Sequence, residues 1–438
     1  MSEGPQLPEG LARYSPATAR DVGTESAQKR VLTYNTGSFE PRGKCMQNPT
    51  TRRQILAAAG AAFTLTALEG CGVGLMRAKG NTAAPTRLQL PPLHAATDRI
   101  TRITVCTRPF RAQGPRLDVE QIGSKTIVHN YGHGGSGWSL SWGSSSIAVQ
   151  KAMATGARNV AVVGCGALGL TSALLLQRAG ADVTIYAKDL PPNVRSSFAT
   201  GVWTPDSRIC LEEHATPSFK RLWESMARES FQTYQTLLGL PGNPVEFIDI
   251  YNVRDVADRS RHANPPADDR PPFAELQSEL IADLIPHAEE FAPGSHQFGA
   301  RYLRRDTPMM FNLSVYARLL MSDFLADHGK IEIAEFHTPA DLASLPQTTV
   351  INATGYGARA LFNDQSVVPV RGQLARMIPQ PDINYGLFYK DVAFIPRRDG
   401  LVFQVLGEND YYGLNDDTVI PDRAEAEHAV STIAGLYT

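Results

Sequence analysis

The chain has little of what a metal site needs. Its 438 residues include five cysteines (Cys45, Cys71, Cys106, Cys165, Cys210) and ten histidines. No two cysteines form a C-x-x-C and no histidines an H-E-x-x-H, so neither structural zinc nor a zinc-protease centre is expected. An excess of either charge is also lacking. Forty-two Lys and Arg against 44 Asp and Glu leave a formal net charge of −2. No global basic field draws in nucleic acid or an anionic bilayer, so any anion must be held by local geometry. No internal repeat is visible. What remains, 42% hydrophobic and 20% charged residues, is an ordinary globular composition. The length predicts two or three domains rather than one small core.

Residues 1–50 are polar, rich in Gly, Pro, Ser and Thr and without apolar period, and read as disordered. From Thr50 to Gly72 the chain reads TTRRQILAAAGAAFTLTALEGCG. Arg52 and Arg53 precede an apolar run shorter than a membrane span, which closes in Leu68-Glu69-Gly70-Cys71. The order resembles a twin-arginine export signal ending in a lipobox, which implies a periplasmic or membrane-tethered product with a lipid anchor at Cys71. A buried helix with two incidental arginines is the other reading, with a cytoplasmic product. Glu69 is atypical for a lipobox. A signal fifty residues into a chain also makes Met46 an alternative start to Met1. The stretch to about Pro92 reads as a tether, and folding is expected to begin near Asp98.

The clearest local motif is NVAVVGCGALGLTSALLLQRAGADVTIYAKD, Asn159–Asp189. Val160–Val163 suits a buried parallel strand, Leu168–Ala179 a helix stopped at Gly180, and Val183–Tyr186 a second strand. Gly164 permits the tight turn, Gly166 the approach of a pyrophosphate to bare backbone, and Gly169 close packing of helix on strand. Phosphates then rest on the free amides of the helix start, at Gly166, Ala167 and Leu168. Strand, glycines, helix and strand occur in the order a dinucleotide-binding unit requires. An acidic residue usually ends the second strand to hold a ribose. Here Lys188 and Asp189 stand there, Asp189 one position late, and the unit alone leaves NAD and FAD both open.

Four further segments resemble the D-amino-acid oxidase family and point to FAD. Arg195-Ser196-Ser197-Phe-Ala-Thr-Gly201-Val202-Trp203-Thr-Pro205 is similar to the segment that there passes from pyrophosphate (Arg195, Ser196) to isoalloxazine (Gly201, Val202). Val350-Ile-Asn-Ala-Thr354-Gly355 resembles the element closing the cofactor domain, and Val370-Arg-Gly-Gln-Leu374 the strand opening the substrate domain. Thr126-Ile-Val-His-Asn-Tyr-Gly132-His-Gly134-Gly135-Ser136-Gly137-Trp138 is nearly the family's flavin loop. Its glycine amides are expected at the flavin carbonyl edge, stabilising charge on the reduced ring. Arg108-Pro-Phe-Arg111 resembles the strand whose first arginine pairs with the substrate carboxylate, a contact suited to a planar guanidinium.

The resemblance implies an α/β fold: an FAD-binding Rossmann-like domain with a parallel sheet, plus a substrate domain on a mixed or antiparallel sheet. Residues 1–97 are then leader, signal and tether. Residues 98–210 carry the arginine strand, flavin loop and βαβ unit, 211–330 mainly substrate domain, 331–369 a return to the FAD domain, and 370–438 substrate domain. The arginine strand and flavin loop end the family's chains but here precede the glycine motif, a circularly permuted order. The helix at Arg423–Leu436 would be the one that normally precedes the arginine strand, and residues 145–159 the joint between the family's two ends.

The chemistry implied is oxidation of a D-amino acid by FAD and molecular oxygen, with Arg108 on its carboxylate. Tyr389 matches the first of two family tyrosines. The second, which bonds the carboxylate, falls on Ala393, a loss on the order of 1–3 kcal/mol if the group is buried. Tyr385, Tyr411 and Tyr412 are candidates to replace it. Oxidation of glycine, N-methylated amines or acidic D-amino acids on the same scaffold, or flavin binding without turnover, remain alternatives. A homodimer is also admitted.

Overall fold

The computed structural model describes residues 87–257 and 270–437. The leader, with Arg52, Arg53, Met46 and Cys71, lies outside the described residues. In chain order the strands are β1 (Ile100–Phe110), β2 (Val119–Ile122), β3 (Lys125–His129), β4 (Asn159–Val163), β5 (Asp182–Ala187), β6 (Val245–Phe247), β7 (Asp249–Arg254), β8 (Glu289–Phe291), β9 (Tyr302–Asp306), β10 (Met309–Phe311), β11 (Lys330–Ile333), β12 (Thr349–Asn352), β13 (Val368–Met377), β14 (Tyr385–Tyr389), β15 (Val392–Arg397) and β16 (Gly400–Val405). The helices are α1 (Ser141–Met153), α2 (Ala167–Arg178), α3 (Pro217–Gln235), α4 (Gln277–Leu280), α5 (Leu313–Ala326), α6 (Ala358–Leu361) and α7 (Arg423–Ala434).

Two sheets carry the site. The first has six strands in the order β11-β5-β4-β12-β3-β2, parallel except for β2. Both faces of β4 are covered, which is why it is apolar without alternation. Val160 and Val162 face a core shared with α1 and α2, while Ala161 and Val163 pack with Leu342, Leu345 and Tyr186 on the other side. The second sheet has eight strands in the order β1-β13-β16-β15-β14-β7-β9-β8, antiparallel apart from β14 beside β7. A small pair, β10-β6, lies apart from both. The α/β class, with one parallel and one mixed sheet, is as expected.

The segment ahead of the glycine motif divides between the sheets. β1 runs along β13 with Arg108 opposite Val370 and Cys106 opposite Gly372, and β3 pairs in parallel with β12. Helix α7 lies against the turn at Thr97–Arg99, where Arg423 Nη2 donates to the Thr97 carbonyl (2.9 Å).

The domain outline needs two corrections. Residues 87–97, grouped with the leader, pack onto the second sheet: Leu93 is buried, Leu90 N–H donates to Gln297 Oε1 (2.6 Å) and Tyr385 Oη to the Pro91 carbonyl (2.6 Å). An extended strap held by single hydrogen bonds has no period to reveal it. Within 211–330, α3 and α5 join the core of the dinucleotide unit rather than the substrate side. α3 presses against α1, where a side chain on Gly143 would meet the Met226 carbonyl at 2.3 Å.

Candidate active site

The turn after β4 is built as the glycines require. Gly164 has φ +111°, and a Cβ there would lie 2.5 Å from the Ala353 carbonyl oxygen. A Cβ on Gly169 would lie 2.0 Å from the Gly164 carbonyl oxygen, so only glycine lets α2 sit this close to its strand. α2 has no side-chain cap. Ala167 N–H meets Ser196 Oγ (3.2 Å), while the Gly166 amide has no partner among the described residues. This helix start opens on a cavity of about 2060 Å³ walled by both sheets.

Most of the expected cofactor residues line that one cavity: Gly164, Gly166, Ala167, Leu168, Lys188, Asp189, Arg195, Ser196, Gly201, Val202, Gly134, Gly135, Gly137, Trp138, Thr354 and Gly355. Arg108 and Tyr389 line it too. Residues 201–203 are fixed against β10, with Phe311 N–H donating to the Gly201 carbonyl (2.7 Å) and Trp203 N–H to the Met309 carbonyl (2.9 Å). Trp138 Nε1 donates to the Ser196 carbonyl (2.7 Å), tying the flavin-loop segment to the phosphate segment. Free amides and bare backbone at one end and a glycine loop at the other fit an extended dinucleotide carrying a planar ring.

Gly169 keeps the packing role read from the sequence, while several other residues do work other than expected. Gly169, Gly132 and Ser136 are not on the cavity wall. Gly169 acts through packing. Gly132 makes room for Arg111, whose Cδ would be 2.4 Å from a Cβ, and Ser136 Oγ donates to the Ser207 carbonyl (3.1 Å). The expected row of flavin-facing amides is shortened. Gly134 N–H goes to the Pro109 carbonyl (2.9 Å), Gly135 N–H to Ser207 (2.8 Å) and Ser136 N–H to His133 (2.9 Å), leaving those of Gly137 and Trp138 without partners among the described residues. Lys188 is exposed and paired with Glu335 (3.1 Å), which leaves Asp189 as the acidic group at the strand end. Arg195 lies over the Tyr356 ring (5.1 Å).

The substrate end centres on Arg108. Nη1 donates to the Arg371 carbonyl (3.1 Å), and no carboxylate pairs with it among the described residues. Its guanidinium lies over Gly372, where a Cβ would be 2.5–2.7 Å from Nη2, Nη1 and Cζ. Tyr389 offers less. Its hydroxyl is engaged by the Asp255 carboxylate (3.1 and 3.3 Å), and Asp255 in turn pairs with Arg301 (3.0 Å). Ala393 is buried on the cavity wall, but none of its suggested substitutes reaches the cavity. Tyr385 bonds Pro91 and Tyr437, Tyr411 bonds the Pro271 carbonyl, and Tyr412 packs on Gly407.

Three groups on this wall had no sequence signal. Gln404 Oε1 accepts from Thr200 Oγ1 (2.6 Å), Ser139 Oγ accepts from Thr204 N–H (2.9 Å), and buried Arg208 follows an already assigned segment without any motif of its own. His133 is buried, and burial pushes its imidazole down to about 3. Ser144 Oγ donates to Asn130 Oδ1 (2.6 Å), so it accepts from His133 Nε2 (2.7 Å), and Nδ1 is left a bare acceptor. Burial likewise raises the Cys165 thiol to about 12, so the cysteine in the glycine turn stays protonated and inert. No group of three or more His, Cys, Asp or Glu poised for a metal occurs among the described residues. No described helix is long and apolar enough to cross a membrane.

Residues 159–437 match the sequence profile of the family described as FAD dependent oxidoreductase. The chain is 24% identical to a D-amino-acid oxidase of Dictyostelium discoideum over 279 residues, covering 63% of this chain and 72% of that protein. It is 26% identical to a D-amino-acid oxidase of Rubrobacter xylanophilus over 216 residues, covering 49% and 58%. Among solved structures it is similar to iminodiacetate oxidase from Chelativorans (TM-score 0.43, 16% identity, 64% of this chain, 79% of that one). It is also similar to glycine oxidase from Bacillus cereus (TM-score 0.39, 14% identity, 56% and 70%).

Proposed function

Because the chain belongs to the family of FAD-dependent oxidoreductases, we propose that it oxidatively deaminates D-amino acids to 2-oxo acids, ammonia and hydrogen peroxide. The observation that carries this reading is Arg108, a guanidinium without a carboxylate partner, on the wall of the same cavity as the glycine turn and the flavin-loop segment. The relatives named D-amino-acid oxidase support it.

Bound FAD supplies the two-electron acceptor for the Cα hydrogen as the amine becomes an imine. The chain's part is placement. Arg108 takes the carboxylate, the Arg371 carbonyl fixes the guanidinium from behind, and Gly372 leaves it room. The helix start at Gly166–Leu168 and Ser196 would hold the diphosphate, and Asp189 the ribose. The amides of Gly137 and Trp138, without partners among the described residues, would stabilise charge on the reduced ring. Water hydrolyses the imino acid to 2-oxo acid and ammonia, and molecular oxygen would take up the two electrons removed from the substrate, with two protons, and leave as hydrogen peroxide.

A second reading is oxidation of glycine or an N-methylated amine on the same scaffold. Purified holoprotein separates the two. We expect anaerobic bleaching of the flavin by D- but not L-amino acids and one peroxide per turnover in air. Bleaching by sarcosine or glycine alone would favour the second reading, and bleaching by none would leave a flavin-binding protein.

The order of elements is circularly permuted on this reading. The family match begins at Asn159, where β4 begins, and the arginine strand precedes it. We further propose that the Arg52-Arg53 leader exports the folded protein, with a lipid on Cys71. Fractionation and mass of the N-terminus test this, and a full-length cytoplasmic product refutes it.

A further inference from the structure

We propose that Arg208 is a second carboxylate-recognising group, and that the preferred substrate is a dicarboxylic D-amino acid of the aspartate or glutamate type. This deepens the D-amino-acid reading and rests on it.

Arg208 sits on the cavity wall beside the flavin-loop segment, its carbonyl oxygen 2.0 Å from where a Cβ on Gly134 would be. Its backbone is in the left-handed region (φ 51°), uncommon for a residue with a side chain. The residue is 9% exposed. Burial lowers its guanidinium to about 10, with Asp410 raising it and the Arg108 charge lowering it further, so it stays charged at neutral pH and stands within reach of Arg108's field. Nε donates to the Asp410 carbonyl (2.6 Å), Nη2 faces the Asp410 carboxylate (3.3 Å), and Nη1 has no partner among the described residues.

Two guanidinium groups therefore share one wall, and among the described residues the carboxylate that pairs with either of them is that of Asp410, itself 41% exposed. The buried Arg208 charge is disfavoured beside a second guanidinium unless an anion answers it. One substrate carboxylate answers Arg108. The unused edge of Arg208 remains, and a distal carboxylate on the same substrate meets it with charge-assisted hydrogen bonds. If Arg208 served only to fasten the Asp410 loop, a neutral amide at the substrate's far end would fit equally well.

The test compares isosteric pairs on the holoenzyme: D-glutamate against D-glutamine, and D-aspartate against D-asparagine. The kcat/KM ratio is expected to favour the acid by about 10- to 100-fold, to fall toward one in Arg208→Met, and to recover in part in Arg208→Lys. Spectral perturbation of the bound flavin by succinate against butyrate provides a readout that needs neither turnover nor a variant. The dicarboxylate should bind at least about tenfold more tightly. Equal use of acid and amide, or equal binding of the two ligands, overturns the assignment while leaving D-amino-acid oxidation intact. Tight succinate binding without reduction by any D-amino acid supports Arg208's role and sinks the reaction instead.

Discussion

Replacing Gly372 by Ala should disable substrate binding without disturbing the fold. The added Cβ would stand 2.5 Å from Arg108 Nη2, 2.6 Å from Nη1 and 2.7 Å from Cζ. Ordinary contact needs about 3.5 Å, so the guanidinium must retreat by roughly 1 Å. Gly372 does not have positive φ and lies in regular pairing opposite Cys106, so the backbone accepts alanine. What yields is the end of a flexible side chain, which is cheap for stability. It is costly for a two-point carboxylate contact, where such a displacement loses about 10- to 100-fold. Stopped-flow flavin reduction should show the apparent Kd for a D-amino acid rising by that factor. FAD content should be unchanged and the unfolding midpoint should move by no more than about 2 °C. Wild-type affinity in the variant would refute both the placement of Arg108 and its role.

Other consequences can be checked in parallel. Gly169→Ala drives a carbon against the Gly164 carbonyl oxygen (2.0 Å), so the purified protein should carry little flavin and lose about 1–3 kcal/mol by denaturant titration. Arg397 is buried, bonded to the Ala199 carbonyl (2.7 Å) and twice to Asp399 (2.8 and 2.5 Å), so Arg397→Met should cost on the order of 3–5 kcal/mol. The same variant should loosen segment 199–203, read as weaker FAD retention. His133, held near 3 against an ordinary 6.5, takes its proton more readily when unfolded. Its contribution is therefore complete above pH 6.5 and lost as pH falls toward 3, at up to about 1.4 kcal/mol per pH unit. Burial lowers His129 and His296 in the same direction. Urea midpoints measured from pH 7 to 5 should fall, and His133→Gln should flatten that slope.

The parts of the site legible in the sequence are those where chemistry constrains the backbone. Gly164, Gly166 and Gly169 are readable because one turn, one close approach and one tight packing each exclude a side chain. Arg108 is readable because its neighbours resemble a known strand. Side-chain destinations were not legible. Whether Ser136 meets a flavin or the Ser207 carbonyl, and whether Tyr389 meets a substrate or Asp255, depends on partners 71 and 134 residues away. The strap at 87–97 and the joining of α3 and α5 to the first core depend on contacts between elements and leave no local period. Arg208 was invisible because a lone arginine after a turn is ordinary on a surface, and only folding buries it on the wall that Arg108 also lines.

Anaerobic titration of the purified, FAD-loaded protein with a D-amino acid and its L-enantiomer, followed by visible absorbance, bears on all of this most directly. Loss of the oxidised-flavin bands with the D-form alone, restored on admitting air, is the result expected. A protein that stays colourless after incubation with FAD, or a flavin that keeps its oxidised spectrum with every D-amino acid offered, would contradict it.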